Sequence, residues 1–96
     1  MFEQAYRYKF DDQVSLHDAQ DTLALAVLAA EGLFGTARVR MDFAFATDEA
    51  IGVFVVDAST EVGQAVNRIF TTFLSRGFGP CCFNVKRVQG AEGGAL

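Results

Sequence analysis

Residues 37–57 read ARVRMDFAFATDEAIGVFVVD. The first ten alternate, with Val39, Met41, Phe43 and Phe45 on one side and Arg38, Arg40 and Asp42 on the other. A two-residue period of this kind predicts a half-buried strand. Residues 47–50 (TDEA) supply a turn, and residues 51–57 (IGVFVVD) predict a second strand with apolar residues on both faces, as a central strand has. A turn of two or four residues pairs Phe43 with Phe54 and sends Phe54 and Val56 to the core. A three-residue turn reverses this, because a one-residue slip exchanges the faces of a strand. Both registers stay open from the sequence.

Helical periods flank this hairpin. Upstream, Ser15 is an expected N-cap, with Asp18 three residues on, for a helix over residues 16–34 that Gly32 or Gly35 stops. Between residues 23 and 34 the only charged residue is Glu31. Leu23, Val27, Ala30 and Phe34 form the stripe expected to lie on the sheet. Leu25, Leu28 and Ala29 widen the apolar surface, so this helix is expected to be covered on two sides, with Leu25 and Ala29 meeting the second helix or another subunit. Downstream, Ser59 or Thr60 caps a second helix ending near Arg76. Its expected core stripe is Val62, Ala65, Val66, Ile69, Phe70 and Phe73, and its wet face includes Gln64, Asn67, Arg68 and Thr71. Gly77 is the expected left-handed C-cap.

Residues 5–10 (AYRYKF) and 82–88 (CFNVKRV) complete the pattern as outer strands in the sequence. Tyr6, Tyr8, Phe10, Phe83 and Val85 are expected inside, and Arg7, Lys9, Asn84 and Lys86 outside. The predicted order is strand, helix, strand, strand, helix, strand: an α+β chain with one domain over residues 1–88 and a flexible Gly-rich tail over residues 89–96. The order resembles the ferredoxin-like superfold. The resemblance implies a two-layer sandwich, a four-stranded antiparallel sheet ordered 4-1-3-2 with two helices on one face. Many unrelated activities share this architecture, so it carries no function with it.

The composition narrows the possibilities further. Hydrophobic residues are 51% of the 96 and charged residues 21%, which places the chain among globular domains and away from disordered ones. A net charge of −4 argues against a nucleic-acid partner, which needs a basic footprint. RNA-recognition domains of this architecture stack bases on aromatics of the first and third strands. Here Tyr6 and Tyr8 are on the core side of the expected first strand. No apolar run approaches the roughly 20 residues of a membrane span, and the N-terminus has no apolar signal region. The two cysteines, Cys81 and Cys82, are adjacent and make no disulfide framework. A soluble, cytoplasmic protein is the expectation.

No stretch carries a catalytic or cofactor motif, so no catalytic residue and no cofactor are assigned. Acylphosphatases share the broad fold but hold phosphate with an arginine after the first strand, where this chain has DDQVS. The candidate binding face is the bare side of the sheet, with Arg7, Lys9, Arg38, Arg40 and Lys86 around an apolar stripe, Val53 and Val55 in one of the two registers. It is read first as an interface with a second copy, then as solvated surface, then as an anion platform whose small-molecule ligand is unknown. A weaker candidate is metal binding by His17, Cys82 and Asp11, whose ligand types suit zinc but whose spacing is not a metal signature. The resulting expectation is a non-enzymatic association domain, homo-oligomeric through the first helix or the bare sheet face, with a metal- or anion-binding module as the alternative and a small enzyme third.

Overall fold

The computed structural model describes residues 4–89. Its elements are β1 (Gln4–Phe10), α1 (Leu16–Phe34), α2 (Thr36–Asp42), β2 (Phe45–Asp48), β3 (Val53–Asp57), α3 (Glu61–Phe78) and β4 (Phe83–Gln89). The four strands form one antiparallel sheet in the order β2-β3-β1-β4, so the chain is α+β. Among the described residues, no helix is long and apolar enough to cross a membrane. The tail expected from residue 89 lies outside the described residues from Gly90 on, and Gln89 closes β4.

The alternation of β1 sorts the sheet into two faces. Tyr8 and Phe10 join Phe54, Val56 and the buried residues of all three helices in one core, among them Leu23 and Ala26 of α1, Val39 of α2, and Phe70 and Leu74 of α3. Two aromatic contacts fasten it, Tyr8 to Phe70 at 4.8 Å between ring centroids and Phe10 edge-on to Phe54 at 5.0 Å. The other face carries a smaller cluster of strand residues, Ala5, Val53 and Val55, with Val88 against it. The register differs from the expected one, because Thr47 and Asp48 belong to β2 and not to the turn: Thr47, and not Phe43, pairs with Phe54, and Phe45 pairs with Val56, leaving residues 49–52 as the connection. Phe54 and Val56 face the core.

Residues 37–42 depart from the expected strand and form the third helix. Alternation over five residues also fits little more than one helical turn, in which Val39 alone needs to point inward. Val39 is buried, while Met41, expected inward, is exposed. Side chains favour the helix as well. Arg38 meets Asp42 four residues on at 3.5 Å, reaches Glu61 of α3 at 2.8 Å and lies over the Phe34 ring, 4.9 Å from its centroid. Arg38 and Arg40 therefore stand on α2 and not on the sheet.

Helix ends explain where the chain turns. Ser15 Oγ accepts from the Asp18 amide, and Gly35, at φ 87°, stops α1 and starts α2 at once. Thr60 Oγ1 accepts from the Gly63 amide and donates to the Asp42 carbonyl, tying the start of α3 to the end of α2. Gly77 does not end α3 as expected. The helix runs through it to Phe78, and Gly79 takes the positive φ of 93°. The buried face of α3 is also rotated from the expected stripe. Leu74 and Asn67 are buried, while Phe73 reaches the surface. On α1 the core side is Ala19, Leu23, Ala26 and Ala30, with Val27 and Phe34 only half-buried.

Candidate functional site

The sheet face opposite the helices holds five of the seven residues of the expected platform. Arg7 lies directly across from Val55 on β3 and Lys86 on β4, and Lys9 lies across from Val53 and Asn84. Directly opposed residues of an antiparallel pair share a face, so Arg7, Lys9, Val53, Val55 and Lys86 are brought together. Arg38 and Arg40 are not. The charge of the face is further diluted. Lys9 donates its ammonium to the Ile51 carbonyl in the β2–β3 connection, and Asp48 stands across from Val53. The apolar stripe is already covered, since Val53 is 4% exposed and Val55 9%. The long stems of basic side chains cover apolar surface in this way while their charged ends remain wet.

The outer side of α1 is the opposite case. Leu25, Leu28 and Leu33 are 56%, 62% and 72% exposed. With Ala29 and Gly32 they fall at i, i+3, i+4, i+7 and i+8, one continuous face of the helix. An added Cβ at Gly32 would meet no atom within 4 Å, so nothing inside the molecule requires a glycine there. Towards the N-terminus the same face continues into Asp21, Asp18 and His17, all exposed. The face is thus apolar in the middle and acidic at its N-terminal end, and past its C-terminal end the chain continues into α2, where Arg40 and Met41 are exposed. Low charge between residues 23 and 34 was the signal for it, but which leucines stay outside depends on how far α1 is rotated against the sheet and α3.

The expected metal residues separate. His17 Nδ1 is 3.4 Å from Asp21, and the ligand atoms of His17, Asp18 and Asp21 lie within 4.8 Å of one another, all exposed. Cys82 and Asp11 are not in that group. They meet each other through the backbone, where the Asp11 amide donates to the Cys82 carbonyl at 3.1 Å. Both cysteines are free thiols. Partial burial and the neighbouring Cys81 and Asp11 push the Cys82 thiol up, towards the protonated form and away from a metal-binding or nucleophilic thiolate. The acids of the His17 group sit in the opening turns of α1, where the helix dipole favours negative charge without any ion.

A protein-family model, a curated protein and a solved structure were each sought for this chain, and none matches. The chemistry of its surfaces is therefore the ground for a functional reading.

Proposed function

We infer that this chain is a non-enzymatic association domain that pairs with a second copy of itself through the outer face of α1. The observation carrying the reading is the exposed stripe of Leu25, Leu28 and Leu33 with small residues between them. Apolar patches of this kind on a folded surface mark contacts. The bare sheet face is the weaker interface, because its valines are already covered.

The charge at the two ends favours a second copy as the occupant. In a two-fold arrangement the same patch serves on both sides, and with the axis perpendicular to α1 the two α1 helices run antiparallel. Asp18 and Asp21 of one copy then lie towards Arg40 of the other, with Ala29 and Gly32 near the axis, where small side chains permit close approach. Arg40 is available for this because Arg38 takes the intramolecular partners Asp42 and Glu61. An interface built on three leucines from each copy is small, and the dimer it makes is concentration-dependent.

The fold behind this surface is a two-layer, ferredoxin-like sandwich to which α2 is added. Supporting it are the single core uniting the sheet with all three helices, and a strand order that reads β4-β1-β3-β2 from the other edge. Free, adjacent cysteines suit a reducing, cytoplasmic setting, and the acidic charge disfavours nucleic acid.

Cross-linking tests the arrangement. In a Cys81→Ser, Cys82→Ser background, Ala29→Cys should give a disulfide-linked dimer on mild oxidation. Ala46→Cys, placed on the sheet's bare face, should not. Cross-linking through position 46 and none through position 29 would move the interface to the sheet.

A further inference from the structure

The face of β4 turned towards the helices is left partly open. Between it, β1 and α3 lies an open cleft of about 760 Å³. Its size is within the range of small-molecule sites, roughly 300–1,000 Å³. Two features set its chemistry. Arg68 of α3 and Arg87 of β4 both line it, and among the described residues neither is held in an ion pair. Among the described residues no Asp or Glu lines it, although the chain has 12 acidic residues against 8 basic ones. A cleft that gathers two arginines, in an acidic protein, is electrostatically set for an anion.

The floor is neutral and fixed. Tyr8 donates its hydroxyl to Asn67 Oδ1 at 2.7 Å, and Thr71 donates to the Asn67 carbonyl at 2.8 Å. Asn67 spends both amide hydrogens on the carbonyls of Asp57 and Gly63, so its orientation is locked. The Tyr8 phenol, pushed by burial up to about 12 from an ordinary value that is already well above neutral, adds no negative charge to the floor. The walls add the half-buried ring of Tyr6, directly across from Arg87, and polar groups from Gln64 and Thr72. Two guanidinium groups suit the bidentate recognition of a carboxylate or phosphate, and a tyrosine ring suits a planar body attached to it.

We propose that this cleft binds a small aromatic oxyanion, its carboxylate or phosphate held by Arg68 and Arg87 and its ring laid against Tyr6. The site is separate from the outer face of α1, none of whose leucines lines it. It also lies on the opposite face of the sheet from Arg7 and Lys86.

Amide-resolved NMR titration tests the proposal, with phenyl phosphate, benzoate and the neutral benzyl alcohol as probes. Phenyl phosphate or benzoate should give saturable shifts at Tyr6, Arg68, Thr72 and Arg87, with Kd below about 1 mM. The stronger of the two identifies the anion class. Benzyl alcohol should give none. Arg68→Gln and Arg87→Gln, at exposed positions that leave the fold intact, should each weaken binding about tenfold, as loss of a charge-assisted hydrogen bond does. Arg7→Gln and Leu28→Asp should leave it unchanged. The proposal is overturned by shifts that do not saturate with either anion, by shifts centred on Arg7 and Lys86, or by undiminished wild-type affinity in both arginine variants.

Discussion

Gly63→Ala should remove about 2–4 kcal/mol of folding stability, read as a lowered urea midpoint with an unchanged slope. Within a helix this substitution ordinarily stabilises by up to about 1 kcal/mol. Here packing decides the sign. A Cβ at Gly63 would stand 2.3 Å from the Asp57 carbonyl oxygen and 3.1 Å from its carbon. Those are backbone atoms, so no side-chain rotation relieves the clash. The first turn of α3 has to move off the end of β3. That movement strains the Thr60 cap on the Gly63 amide, 2.9 Å long, and the 3.1 Å bond from Asn67 Nδ2 to the Asp57 carbonyl. Domains of this size are stable by about 5–15 kcal/mol in total, so the variant loses a large share. A neutral or raised midpoint would mean that α3 does not approach β3 as closely as described.

Asn67→Ala is the second large effect, about 2–4 kcal/mol. The side chain is 4% exposed and makes three hydrogen bonds, donating to the Asp57 and Gly63 carbonyls and accepting from Tyr8. Truncation leaves the Tyr8 hydroxyl with its 3.2 Å contact to Thr71 and a long 3.4 Å bond to the backbone carbonyl of residue 67, and strips the Asp57 carbonyl of a donor. Buried groups left without partners cost more than the bonds contributed when made. Tyr8→Phe should cost less, about 1–2 kcal/mol, because it orphans a single acceptor. The double variant should fall short of the sum of the two, since both remove the same bond. Additive losses would show that Tyr8 and Asn67 act independently.

These two residues also mark how far the sequence could be read. The extent of the first helix was legible, because Ser15 and a long apolar period mark it, but its core side was not: Ala19 and Ala26 are buried where Val27 and Phe34 were expected. The outer strands were legible because AYRYKF and FNVKRV alternate without ambiguity. Asn67 was not. It falls beside Gln64, Arg68 and Thr71, and on polarity alone it belongs with them. Only the rotation of α3 against Tyr8 and β3 turns it inward. Residues 37–42 failed for a different reason. Their alternation satisfies a strand and a single helical turn equally, and the deciding partners, Glu61 and Phe34, come from other elements. With that segment, Arg38 and Arg40 left the expected basic platform, and Val53 and Val55 were found covered. The cleft left no trace in the sequence. Arg68 and Arg87 are 19 positions apart, on a helix and a strand, and line one cleft only because β4 pairs with β1.

We propose the outer face of α1 as an interface between copies. Light scattering across a concentration series, on the wild type and on Leu28→Asp, tests it most directly. Leu28 is exposed, so its replacement leaves the core untouched and the helical circular dichroism unchanged. The wild type should rise from the 10.4 kDa of one chain towards twice that mass as concentration increases, and Leu28→Asp should stay at one chain throughout. A wild type that remains at 10.4 kDa, or a variant that dimerises as well as the wild type, contradicts the account.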